Sequence, residues 1–205
     1  METFAIYLAG KIQKGHEEPN ETFWGDQEIA EIQSCFAPVN VQLLNPIEAP
    51  GDVVKDPEGA LGRDLMQVFV SDCVFVDARD RRGLGVGIEM CVAKLLAKPV
   101  VTLAPKESHY NRSSATVSGH ECLDYIHPFV FGFSDKIAHT ISEAVDWMKE
   151  KHEHIKGKEV IFDSMKYYGK NYFLQDPTFF KFIEENPLLK QRFELVLGQK
   201  LETSV

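Results

Sequence analysis

Any chemistry in this chain would be built around Glu89. It stands at the end of Gly83-Leu84-Gly85-Val86-Gly87-Ile88-Glu89, where three glycines at alternate positions run into an apolar helical pattern. The run before them, Cys73-Val74-Phe75-Val76-Asp77-Ala78, reads as a strand buried on both faces of a parallel sheet. Glu89 therefore falls just past a strand's carboxyl end, where open α/β sheets bind ligands. Glycine has no Cβ, so the backbone at Gly83, Gly85 and Gly87 can come close to a bound molecule. A carboxylate held there can attack an electrophilic sugar carbon, as in retaining glycoside chemistry. It can also fix a ribose hydroxyl, or act as a first-turn acid that favours the helix dipole. The glycines follow the third strand and are spaced GLGVG, so the dinucleotide-binding fingerprint is not met.

A second carboxylate beside Glu89 would raise one pKa of the pair and set an acid next to a nucleophile. Asp77, near the strand's carboxyl end, and Asp80, in the turn, are the candidates. Asp64 lies within an amphipathic helix, on a solvated face or against substrate. Asp72 precedes its strand and so belongs to the opposite end. The loop after the first strand carries Gly10, Lys11, Gln13, Lys14 and His16 and faces the same crevice. Its cations suit a phosphate or a carboxylate. Trp24 is a core residue or a platform for a base. His109, His120 and His127 have no metal spacing, and His152 and His154 sit in a charged linker. Cys35, Cys73, Cys91 and Cys122 form no CxxC, which reads as reduced thiols with no metal site. Ser108, Ser113, Ser114 and Ser118 have no Gly-x-Ser-x-Gly frame, so serine-hydrolase chemistry is not indicated.

The elements that must position these residues follow from the hydrophobic pattern. Strands are expected at 4–9, 39–44, 73–78 and 99–103, with a short fifth at 126–133. Helices are expected at 22–36, from 56 or 57 to 70, at 87–97 and at 135–150, with loops at 47–57 and 106–124. Inward faces are expected at Leu61, Leu65, Val68 and Phe69, at Ile88, Val92, Leu95 and Leu96, and at Ile137, Ile141, Val145 and Met148. The alternation predicts an α/β fold: a flavodoxin-like or Rossmann-like parallel five-stranded sheet flanked by helices. That domain takes residues 1–150. Residues 151–205 form an aromatic-rich helical extension behind a charged linker, divided at Pro177 and Pro187. Its rings are expected against the sheet domain or a second subunit. The net charge of -9 argues against a nucleic-acid groove, which needs a basic field. No basic leader and no apolar stretch of membrane-spanning length is present, so a soluble cytoplasmic protein is expected.

Three stretches resemble the nucleoside 2-deoxyribosyltransferase superfamily, whose branches include 2'-deoxynucleoside 5'-phosphate N-hydrolases. They are Ile6-Tyr7-Leu8-Ala9-Gly10, Leu43-Leu44-Asn45-Pro46, and residues 71–99 with Leu84-Gly85-Val86-Gly87-Ile88-Glu89-Met90 at their centre. The resemblance covers roughly residues 4–150. It implies a flavodoxin-like fold and at least a homodimer. It also implies cleavage of the N-glycosidic bond of a (deoxy)nucleoside or its 5'-monophosphate, by hydrolysis or by transfer to an acceptor base, with no cofactor. Glu89 takes the nucleophile's position, Tyr7 lines the nucleoside pocket, and Asp64 contacts the substrate region. Asn111, Ser113 and Ser114 match residues that reach a neighbouring subunit's site. Asp80 or Asp77 would protonate the base or steady Glu89. Gly83 stands where the family places an aspartate or serine, so sugar or phosphate contacts there would fall to Asp80 or to main-chain donors. Lys11 and Lys14 replace a serine- and arginine-rich loop. A non-catalytic nucleotide-binding or sensing module on the same fold is the alternative.

Overall fold

The computed structural model describes residues 3–12 and 22–201. The chain forms two compact units, Met1–Gly157 and Lys158–Val205. The first is built on a five-stranded parallel sheet. In chain order its elements are β1 (Phe4–Ala9), α1 (Asp26–Phe36), β2 (Val41–Leu44), α2 (Gly51–Lys55), α3 (Pro57–Val70), β3 (Cys73–Asp77), α4 (Leu84–Leu95) and β4 (Val100–Leu103). There follow β5 (Asn111–Val117), β6 (His120–Ile126), α5 (Pro128–Phe133), β7 (Lys136–Ala138) and α6 (Ile141–Lys149). The strand order is β2-β1-β3-β4-β7, with every neighbouring pair parallel. This is the doubly wound, flavodoxin-like arrangement, as the alternating pattern indicates.

Side chains alternate across the sheet, because successive residues of a strand point to opposite faces. Ile6, Leu8 and Phe75 pack with Ile32 and Phe36 of α1 and Ile141, Val145 and Met148 of α6. Tyr7, Ala9, Val74 and Val76 pack on the other face with Val68 of α3 and Val86, Met90 and Ala93 of α4. The phase of β1 thus sends Tyr7 toward α4 and toward Glu89.

Several expectations are corrected. Residues 106–124 are not a plain loop: β5 and β6 form an antiparallel hairpin. The fifth sheet strand is β7, not 126–133, where Pro128 instead opens the helix α5. Ile137 is in that strand, so the last helix of the domain begins at Ile141. The first helix begins at Asp26 rather than 22, and the 47–57 segment holds the short helix α2. The inward face of α4 is Val86, Met90 and Ala93, while Ile88, Leu95 and Leu96 are exposed. That helix is apolar nearly all round, so its sequence offers two stripes to the core, and the one with Val86, Met90 and Ala93 packs on the sheet. On α3, Val68 is buried but Leu61 and Phe69 are exposed.

The second unit consists of α7 (Glu159–Asn171), α8 (Pro177–Glu184) and α9 (Pro187–Leu197). Pro177 and Pro187 each open a helix, capped by the side chains of Asp176 and Asn186, since proline's missing N–H is tolerated in the first turn. Phe173 is its buried centre, with the rings of Phe193, Phe180 and Phe179 around it. Among the described residues no helix is long and apolar enough to cross a membrane.

Candidate active site

β1 lies between β2 and β3, so the chain leaves β1 and β3 toward opposite sides of the sheet. Such a switch point opens a crevice at the strands' carboxyl ends. A cavity of about 430 Å³ occupies it. Gly10, Lys11 and Ile12 line it from the end of β1, Asp64 from α3, and Arg81, Arg82, Gly83, Gly85, Val86 and Glu89 from the turn and start of α4.

Glu89 sits in the second turn of α4. Its Oε1 accepts the hydroxyl proton of Tyr7 at 2.9 Å. Its Oε2 is buried and has no partner among the described residues. Burial, reinforced by the charge of Asp64, pushes the Glu89 pKa up to about 7, and the Tyr7 hydrogen bond works against that rise. The Tyr7 hydroxyl is itself driven well above the usual phenol range, first by burial and then by the charge of Glu89. Asp64 is raised by desolvation, with Arg63 opposing. Two carboxyl groups whose pKa values are raised by desolvation therefore share one cavity, with Lys11, Arg81 and Arg82 supplying positive charge on its walls. Gly85 leaves room beside the carboxylate, since a Cβ there would lie 3.8 Å from Glu89 Oε1.

Asp77 and Asp80 lie outside this cavity, each bound to other partners. Asp77 is fully buried. Its carboxylate takes the guanidinium of Arg79 at 2.9 Å and that of Arg82 at 2.8 Å. Arg79 goes on to Glu28 at 2.8 Å and to the Phe23 carbonyl at 3.1 Å. Arg82 reaches the Asp77 carbonyl and the Thr22 hydroxyl. Asp80 accepts both the backbone N–H of Thr22 at 2.9 Å and its hydroxyl at 2.8 Å. The Thr22 N–H above all, with Arg82 and Arg79 behind it, lowers the Asp80 pKa, which makes Asp80 a poor proton donor. These two aspartates fasten residues 22–28 to the turn between β3 and α4. The sequence signal for this clamp was Asp77 with arginines two and five residues on, which a strand ending in a tight turn folds back on it.

Asn111 is buried at the foot of the hairpin, where its amide donates to the Ala104 carbonyl at 2.8 Å. It therefore does not reach out of its own chain. Ser113 and Ser114 are exposed on β5. Trp24 is a core residue: its indole N–H donates to the Ala9 carbonyl at 3.0 Å, and a Cβ on Gly10 would meet its ring at 2.9 Å. Asp72, at the far end of its strand, accepts from the Ala5 N–H at 2.8 Å. Gly83 lines the Glu89 cavity, whereas Gly87 faces a separate one beyond α4. Lys14, with Gln13 and His16, lies outside the described residues.

No protein-family model matches the chain, and no curated protein matches it. Among solved structures it is similar to a 2-desoxiribosyltransferase from Leishmania mexicana, at a TM-score of 0.39 and 15% identity, over 82% of this chain and 99% of that one.

Proposed function

We propose that the chain cleaves the N-glycosidic bond of a nucleoside or its 5'-monophosphate, with Glu89 as nucleophile. The observation that carries this reading is the Glu89 carboxylate, one oxygen oriented by Tyr7 and the other buried without a partner, at the wall of the switch-point cavity. The Glu89 carboxylate attacks the anomeric carbon as the base leaves, giving a glycosyl ester, which water or an acceptor base then resolves. Asp64 takes the part first expected of Asp77 or Asp80. Its raised pKa suits a group that protonates the departing base. Lys11, Arg81 and the N–H groups at the start of α4 suit a sugar oxygen or a 5'-phosphate. A panel of nucleosides and their monophosphates, assayed for free base with and without an acceptor base, tests this. Release that rises with acceptor marks a transferase, and release without it a hydrolase. Tight binding without turnover favours the sensing module.

The pH profile follows from the site. Attack needs ionised Glu89, whose pKa is raised to about 7, so kcat/KM should fall about tenfold per unit below that value. Tyr7→Phe removes the bond that favours the carboxylate, so its acidic limb should lie at higher pH than the wild type's. An unmoved limb would separate Tyr7 from the ionisation of Glu89.

Assembly belongs to the same proposal. Leu84, Ile88, Leu95 and Leu96 of α4 and Met66, Phe69 and Val70 of α3 are exposed. Apolar surface of that extent on adjacent helices marks an interaction site, and we assign it to a second copy of the chain. The exposed Ser113 and Ser114 are then candidates for the neighbouring subunit's site. Light scattering should give a dimer or larger for the wild type and a smaller species for Leu95→Glu. A monomeric wild type would overturn this part of the reading.

A further inference from the structure

A second cavity, of about 240 Å³, lies on the other side of the first turns of α4. It is lined by Val76 and Ala78 at the end of β3, by Gly83 and Gly87 of the α4 start, and by the rings of Tyr110, His127 and Phe129. Gly83 and Gly87 stand one helical turn apart. Neither requires glycine for its backbone, since Gly83 has a φ of -76° and Gly87 lies inside the helix. A Cβ on either would meet nothing within 4 Å. Glycine inside a helix is less favourable than alanine by about 1 kcal/mol, so the choice of glycine at 87 opposes the helix and leaves the slot open.

Part of the lining is aromatic. The Tyr110 and His127 rings lie 5.2 Å apart, edge to face at 80°, and the His127 and Phe129 rings lie 5.9 Å apart at 32°. The slot carries no free charge. Arg82, its one guanidinium, is bound to Asp77, and burial together with the nearby His109 lowers the His127 pKa, favouring the neutral ring. Two polar handles remain. The Tyr110 oxygen accepts the Arg82 N–H at 2.8 Å while its own proton has no acceptor among the described residues. His127 Nδ1 is buried and likewise without a partner among them. The volume is below the range of about 300–1,000 Å³ usual for drug-sized ligands, which fits one small ring system and not a whole nucleotide.

We infer that this slot binds a neutral, planar heteroaromatic molecule of nucleobase size, with its edge against the glycine face of α4 and its ring against His127 and Phe129. The choice of a nucleobase among such molecules rests on the proposed glycosidic reaction, which releases or accepts one. Gly83, Arg82 and Val86 line both cavities, so the slot would hold a free base one helix width from Glu89.

Titration of the protein with adenine and with thymine, followed by saturation-transfer NMR and calorimetry, tests the inference. Wild type and Glu89→Ala should bind a base alike. Gly87→Leu should raise Kd at least about tenfold by filling the slot, and its melting temperature should be unchanged or higher, because leucine favours the helix. His127→Phe should weaken binding less than Gly87→Leu. Base binding that survives Gly87→Leu, that disappears in Glu89→Ala, or that is absent from the wild type while indole binds overturns the inference. None of these outcomes bears on whether Glu89 cleaves nucleosides, which the assay of free base decides separately.

Discussion

Glu89→Ala should release free base at least about 10³-fold more slowly than the wild type, because loss of a nucleophile removes the covalent route altogether. Glu89→Gln should be equally inactive, since the amide keeps the shape but not the negative charge that makes a carboxylate oxygen nucleophilic. The same variant should gain stability. The Glu89 pKa is raised from 4.5 to about 7 in the fold, so the folded state holds this proton more tightly than the unfolded chain does. The wild type's stability from this group is whole below about pH 4.5 and is lost as pH rises through about 7. Glutamine has no proton to lose. Urea melts should therefore find Glu89→Gln level with the wild type near the unfolded carboxyl pKa, and more stable above about pH 7 by up to about 3 kcal/mol. A gain in stability with a loss of activity is what a site group held against its preference gives. A destabilised Glu89→Gln at alkaline pH would make Glu89 a structural residue.

The second large effect lies at the opposite end of the sheet. Lys94 is fully buried on α4. Its ammonium pairs with Asp135 and also donates to the carbonyls of Lys98 at 3.0 Å and Lys156 at 3.1 Å. Asp135 in turn accepts the N–H of Val100 at 2.7 Å and of Lys156 at 2.8 Å. One ion pair thus ties α4, the start of β4, the entry to β7 and the segment after α6. Burial lowers the Lys94 pKa, and Asp135 opposes that shift. Lys94→Met keeps most of the side chain's volume but leaves a buried carboxylate without its counter-charge and takes a donor from two carbonyls. It should destabilise the fold by about 3–5 kcal/mol, read as a lower urea midpoint with an unchanged slope. Lys94→Met combined with Asp135→Asn should recover part of that loss, because the orphaned charge is then gone. A single variant as stable as the wild type would remove the pair from the account of the core.

How much of this the sequence carried varied by element. β1, β3 and β4 were legible because strands buried on both faces are continuous apolar runs. The Glu89 segment was legible as an element that follows β3 to the ligand end of the sheet, but its alternate glycines read as a turn, whereas α4 begins at Leu84 and holds Gly85, Gly87 and Glu89 within it. The start of α6 carries a cap signal in Thr140-x-x-Glu143: the Thr140 hydroxyl accepts the Glu143 N–H at 3.1 Å, while the Glu143 carboxylate accepts the His139 N–H at 2.7 Å. The β5–β6 hairpin was hidden because its exposed strands carry polar residues and little alternation. The carboxyl partner of Glu89 was misplaced for a different reason. Asp77 and Asp80 are near it in sequence, but buried arginines and a threonine claim them, and no spacing rule separates a clamped aspartate from a free one. Asp64 comes from another helix and enters the site only through the packing of α3 against α4.

The central claim is tested most directly by mass spectrometry of the protein quenched in acid during turnover of a reactive nucleoside, followed by proteolysis. A sugar-sized mass increment on the peptide that contains Glu89, absent when Glu89→Gln is treated alike, is the expected result. Turnover with every peptide unmodified, or with the increment on another carboxylate, would contradict it.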